Sequence, residues 1–332
     1  MTAASRTPRP RTPRPRARLP WAALPRELAA TVEARLRGGP VARAEDQTGG
    51  FSPGVAVRLT LTDGRRAFVK AVSPEQNPDS PHIHRAEARI AADLPEDIPA
   101  PRLLHSFEQD GWVVLAFEDV PGRTPADPWD AGELRRVMDA LDDLAVRLTP
   151  SPVAAPPAAE RLAGTFDCWA ELAADRDAGT DDLRDLDPWA AAHLDELVAL
   201  ESGWLRALAG DTLAHGDLRA DNILLTPDGR VVFVDWPWAC TSTPWFDLLC
   251  MLPSIVMQGG PAPEGLFKAH PPARDVDPEA VDAALAALTG MFLVHARRPA
   301  PPGLPTLRAF QRAQGEAALS WLRTRLRPRL RA

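Results

Sequence analysis

The stretch His215-Gly216-Asp217-Leu218-Arg219-Ala220-Asp221-Asn222 constrains this chain more than any other. It reads H-x-D-x-x-x-x-N. Two apolar runs follow, Ile223-Leu224-Leu225 and Val231-Val232-Phe233-Val234, with the turn Pro227-Asp228-Gly229-Arg230 between them. Asp235-Trp236 comes directly after. The pattern predicts a loop carrying Asp217 and Asn222, then a hairpin, then a second carboxylate at its end. Phosphoryl transfer asks for such a set: one carboxylate to orient a hydroxyl, and an amide oxygen and a carboxylate to hold Mg²⁺. Burying two carboxylates together with no cation would be costly, which argues against a purely structural role.

The remaining chain has to supply a nucleotide pocket and an acceptor pocket. At 332 residues it has room for one large or two moderate domains. No apolar run approaches the roughly 20 residues of a membrane span, and nothing apolar follows the basic N-terminus as in a secretory signal. Cys168, Cys240 and Cys250 lack metal-ligand spacing and read as buried thiols in a reducing compartment, which suggests a cytoplasmic protein. The net charge of −7 gives no support for nucleic-acid binding. Lys70 and Lys268 are the only lysines, so arginine carries nearly all positive charge. A lysine kept against that bias is a candidate for function.

Residues 1–20 repeat Arg, Thr and Pro with nothing to bury, and read as a disordered basic arm. Pro25 to Arg37 predicts a helix that stops at Gly38-Gly39. From Val41 the period becomes two. A glycine-rich turn, Thr48 to Gly54, precedes Val55–Leu59, and a further turn at 62–65 leads to Arg66–Val72. Glycines at Gly50 and Gly54 let backbone N–H groups approach an anion, with Ser52 between them. Lys70 lies inside an apolar strand, where an ammonium can reach phosphates. Pro81 to Leu94 predicts a helix carrying Glu87, a candidate partner for Lys70. Leu103–Gln109 and Trp112–Phe117 complete a hairpin, and Glu118 to Gly122 marks a boundary.

Beyond Gly122 the pattern is helical: 133–148, 161–174, 189–209, 244–257, 281–296 and 304–326. The acidic segment 175–187 reads as a solvated loop, with a lid wall for a cationic substrate as the sharper alternative. Trp236, Trp238 and Trp245 fit core packing or an acceptor pocket. Asp247 reads as a carboxylate at a helix N-terminus.

This order of parts, HGDLRADNILL followed by VVFVDW and preceded by a glycine hairpin, a strand Lys and a helix Glu, resembles the aminoglycoside phosphotransferase family of the kinase-like superfamily, with choline, homoserine and fructosamine kinases. The resemblance covers about residues 25–326. It implies an α+β fold of two lobes, protein-kinase-like: a small antiparallel sheet with one helix (21–118), a hinge (119–122), and a mostly helical lobe (123–332). It also implies roles. Asp217 is the base or hydroxyl-orienting carboxylate, and Arg219 touches the γ-phosphate. Asn222 and Asp235 bind Mg²⁺. Lys70, held by Glu87, contacts the α/β-phosphates beneath the loop bearing Gly50, Ser52 and Gly54. Phe117, Glu118, Asp119 and Val120 take the adenine edge. Asp247 supports the catalytic loop.

The expected activity is transfer of the γ-phosphoryl group of ATP, with GTP as an alternative donor, to a hydroxyl of a small molecule. The acceptor is an aminoglycoside-like antibiotic or another hydroxyl metabolite. Neither a nucleic acid nor a membrane is an expected partner, and the protein is a monomer or dimer. A catalytically silent nucleotide-binding regulator is the alternative.

Overall fold

The computed structural model describes residues 18–47 and 49–327. The small lobe is a five-stranded antiparallel sheet in the order β1-β2-β3-β5-β4, built from β1 (Val41–Asp46), β2 (Val55–Leu61), β3 (Arg66–Val72), β4 (Leu103–Gln109) and β5 (Trp112–Glu118). Alternation along β3 decides which side chain faces what. Ala67, Val69 and Ala71 point to one face and pack with Leu28, Val32 and Leu36 of α1 (Arg26–Leu36). Phe68 points to the other face, toward α2 (Ser80–Asp93), and Lys70 shares its parity. The lobe therefore carries both helices expected from the sequence, one per face.

Residues 18–20, counted within the basic arm by their sequence, are packed. Leu19 lies against the α1 face of the sheet, and Trp21 N donates to Asp46 Oδ1 at 2.8 Å. The rest of the arm, residues 1–17, lies outside the described residues, as do Thr48 of the glycine turn and the basic C-terminal residues 328–332.

After residue 122 the chain crosses to the large lobe, where Arg123 pairs with Leu225. This lobe comprises α3 (Ala131–Arg147), α4 (Ala158–Arg161), α5 (Cys168–Asp177), α6 (Pro188–Ala192), α7 (Leu194–Glu201) and α8 (Trp204–Ala207), then short hairpins and helices. Strands β6 (Thr212–Ala214) and β9 (Cys240–Ser242) pair with each other, as do β7 (Ile223–Leu225) and β8 (Val231–Phe233). Helices α9 (Phe246–Met257), α10 (Pro263–Ala269), α11 (Pro278–Arg297) and α12 (Leu307–Leu326) complete it.

Two expected helices are broken. The one over 161–174 is interrupted at Gly164, whose φ of +67° is closed to helix. The one over 189–209 divides at His193 and again at Ser202-Gly203, where a Cβ on Gly203 would lie 3.0 Å from Ala283 of α11. Helix α11 is also long and apolar enough to cross a membrane, against the expectation of no such run, but 72% of that window is buried, as in the core helix of a globular protein.

Candidate active site

The loop His215–Asn222 leaves β6 and enters β7 through a 3₁₀ turn at Ala220–Asn222. Four bonds fix its entry. Asp247, in the first turn of α9, accepts from His215 N at 2.8 Å and Gly216 N at 3.0 Å. His215 Nε2 donates to Val234 O at 2.9 Å, which leaves Nδ1 to accept from Asp217 N at 3.3 Å. His215 is thus a brace that ties the loop to the segment before Asp235. Gly216 has φ +78°, and a Cβ there would meet the Trp238 carbonyl, so glycine is demanded twice over.

Asn222 Nδ2 donates to Asp217 O at 2.8 Å and lies 3.5 Å from Asp217 Oδ2. Its backbone carbonyl accepts from Val234 N at 2.9 Å, so loop and hairpin end are stitched together. Asp235 sits at φ +73°, a left-handed conformation that Asp tolerates better than most residues. Burial pushes the Asp217 carboxyl up from its usual range even though the Arg219 guanidinium opposes this. Arg219 ion-pairs with Asp217, and its Nε lies 3.0 Å from Asp221 Oδ1. The guanidinium also lies 5.8 Å from the Phe51 ring and 5.4 Å from the Phe310 ring.

Across the cleft, Lys70 Nζ is 2.7 Å from Glu87 Oε1 and 2.6 Å from Asp235 Oδ1. Burial alone would lower the Lys70 pKa; the two carboxylates reverse this and raise it. Burial pushes the Glu87 carboxyl up to about 7 despite Lys70. Burial, with the Lys70 charge adding to it, pushes the His84 imidazole down to about 3.

A cavity of about 210 Å³ lies between the lobes, and neither Asp217 nor Arg219 is among its lining residues. Gly50, Lys70, Glu87, Asn222 and Asp235 line it, as do Phe117, Glu118, Asp119 and Val120 at the boundary between the lobes. The Asp119 side chain is turned to the sheet, where it pairs with Arg66 at 2.6 Å and Arg58 at 3.3 Å. Ser52 lies in a neighbouring cavity. Gly54 packs on β3 instead of lining the cleft, since a Cβ there would run into the Ala71 carbonyl.

Among the described residues no group of three or more His, Cys, Asp or Glu is disposed to hold a metal. The carboxylate of Asp235 and the amide of Asn222 on one cavity still fit Mg²⁺, which is ordinarily held by one or two protein oxygens together with substrate phosphates and water.

The acidic segment does not line the cleft. Asp181 pairs with Arg297 at 2.7 Å, and Asp187 caps α6 through Trp189 N and Ala190 N. Trp236 and Trp245 are core: Trp236 Nε1 donates to Phe233 O at 3.0 Å, and Trp245 packs edge-on to Phe267. Trp238 is exposed. The three cysteines are free and buried, and burial pushes the Cys168 and Cys240 thiols up to about 12. Sequence reasoning passed over Arg18, Phe51, Asp221 and Phe310. Asp221 lay inside the motif and was legible; Phe310, on the last helix, carried no local signal.

A five-stranded sheet with its helices over a mostly helical lobe, with these groups at the junction, is the kinase-like two-lobed fold. Residues 48–275 match the profile of the phosphotransferase enzyme family, APH, and the chain belongs to that family. Among solved structures, a ternary complex of a thermostable mutant of aminoglycoside phosphotransferase APH(4)-Ia with ADP and hygromycin B superposes with TM-score 0.58 at 14% identity. That match covers 89% of this chain and 98% of the other. Choline kinase LicA from Streptococcus pneumoniae gives 0.52 at 12%, covering 90% and 98%. At such identities the likeness is one of fold. The aminoglycoside 3'-phosphotransferase of Streptomyces ribosidificus is 30% identical over 132 residues, 40% of this chain. The chain thus spans about half (49%) of the length of that curated relative.

Proposed function

We propose that this protein is an ATP-dependent O-phosphotransferase acting on a hydroxyl of a small molecule. The observation that carries the reading is convergence. Lys70 and Glu87 from the sheet lobe meet Asn222 and Asp235 from the helical lobe on one cavity, and Asp217 stands beside Asn222.

Each residue has a task in this reading. Lys70, held by Glu87, neutralises the α/β-phosphates. Asn222 and Asp235 would hold Mg²⁺, which supplies charge neutralisation on the phosphates. Asp217 orients the acceptor hydroxyl and accepts its proton, and burial, by raising its pKa, makes it a stronger base than an exposed carboxylate. Arg219 holds Asp217 in place and brings positive charge to the site of transfer. Backbone groups near Phe117–Val120 take the adenine edge.

The family and the partial match to aminoglycoside 3'-phosphotransferases support aminoglycoside-like acceptors. The fold match to a choline kinase supports smaller amino alcohols equally well. The acceptor class is therefore a hydroxylated small molecule, and an aminoglycoside is one member of it. The protein is expected to work in the cytoplasm, where ATP is available.

The test is ADP release with Mg²⁺ and a panel of aminoglycosides, macrolides, amino alcohols and sugars. At least one acceptor should stimulate turnover, and Asp217→Ala should remove the stimulated rate. ATP binding without any acceptor-stimulated turnover would instead favour a silent, regulatory nucleotide-binding protein.

A further inference from the structure

Arg18 lies ahead of the first helix, yet it reaches the cleft between the lobes. It lines the cavity that holds Lys70, Glu87 and Asp235, and also the adjoining one of about 290 Å³ between the glycine turn and residues 303–306. Its Nη2 donates to the Gly49 carbonyl. Gly50, at φ +81°, passes so close to that guanidinium that a Cβ would collide with it. Gly50 thus provides the room that Arg18 occupies.

The guanidinium's bonding is incomplete. Among the described residues it forms no salt bridge, and its Nε is buried without a hydrogen-bond partner. Ser52 Oγ, on the same adjoining cavity, is likewise buried and unpartnered. A buried cation and a buried hydroxyl with open valences are costly unless something pairs with them. A phosphate suits both: its oxygens accept from a guanidinium fork and from a hydroxyl. The nearby carboxylates are Asp235, Asp221 and Glu87, and each already has a cation: Lys70 engages Asp235 and Glu87, and Arg219 engages Asp221.

We propose that Arg18 is a phosphate ligand of the bound nucleotide, clamping its terminal phosphates from above the glycine turn together with Ser52. This rests on the nucleotide reading of the cleft. It adds a group from outside the sheet, so that residues before the first helix belong to the donor site. A cation placed there also lowers the cost of gathering phosphate charge beside Asp235.

Calorimetric titration of the full chain with Mg²⁺ and β,γ-imido-ATP, and separately with adenosine, tests this. Arg18→Ala should weaken imido-ATP binding about tenfold or more, the effect of losing one charge-assisted contact. Adenosine binding should stay unchanged, and Arg18→Lys should recover part of the loss. Unchanged or tighter imido-ATP binding by Arg18→Ala would overturn the proposal, the tighter result marking Arg18 as a plug that competes with phosphate. Equal weakening of imido-ATP and adenosine would overturn it too, since that marks a structural role. Wild-type protein that binds the analogue but turns over no acceptor leaves these affinity differences to decide the role of Arg18, whereas the catalytic reading then fails by itself. Failure of the wild type to bind either compound removes both.

Discussion

Lys70 Nζ lies 2.6 Å from Asp235 Oδ1, across 165 residues of chain. One ammonium thus joins the middle of a sheet strand to the residue that follows the β7–β8 hairpin, while keeping 2.7 Å contact with Glu87. Lys70 holds Asp235 well below the usual carboxylate range, against the burial that would raise it. The contact makes the small lobe's position part of the site's electrostatics.

Lys70→Met should lower turnover about 10²- to 10³-fold, the usual cost of removing one preorganised charge from a transfer site. Glu87 can take a proton once its partner is gone, since its pKa is already near 7, so melting should move little. Steady-state kinetics beside thermal melts check this. Full activity in the variant would remove Lys70 from the mechanism.

Asp247 should prove structural and not chemical. Its carboxylate holds two backbone N–H groups of the loop, both on buried or half-buried residues. Asp247→Ala leaves both donors bare, at about 1–3 kcal/mol each. Urea unfolding should show a loss of roughly 3 kcal/mol, and Asp247→Asn should retain part of it. Stability equal to wild type, with turnover alone reduced, would contradict this.

The glycine turn and the last helix should be energetically coupled. The Phe51 and Phe310 rings lie 4.5 Å apart at 41°, with Arg219 close to both. A double-mutant cycle of Phe51→Ala and Phe310→Ala should give an interaction of about 0.5–1.5 kcal/mol. Additive losses would show that the rings are neighbours without consequence.

Glu201 should give stability a pH slope. Its carboxylate, at the end of α7, accepts from Trp169 N and Ala170 N in the first turn of α5, and burial raises its pKa to about 7. The folded carboxyl keeps its proton to higher pH than the unfolded one, whose ordinary value is 4.5. Stability should therefore fall as pH rises from about 4.5 to about 7, by up to roughly 3 kcal/mol, and level off beyond. Glu201→Gln has no such group to titrate, so its stability should lack this decline. Parallel pH curves for the two proteins would assign the slope elsewhere.

Much of the site was legible because its parts are local. The spacing from His215 to Asn222 and the hairpin to Asp235 are fixed by turn chemistry and alternation over some twenty residues. Strand parity likewise turns Lys70 to the side that faces α2 and Glu87. The helices of the large lobe were less legible. Apolar periodicity runs straight through His193 and Ser202-Gly203, and the second break falls where Gly203 packs closely on Ala283.

The sequence by itself determined the kinds of group available: the carboxylates, the amide, one lysine inside an apolar strand and the glycines of the turn. These follow from short-range pattern, because neighbours in the chain dictate backbone conformation. Only the tertiary structure decided which distant side chains join them. Arg18 over Gly50 ahead of the hinge, Asp247 against His215 within the large lobe, and Phe310 against Phe51 between the lobes are brought together by tertiary packing. Such pairings carry no periodic signature, since the free energy that selects them comes from burying surfaces far apart in the chain.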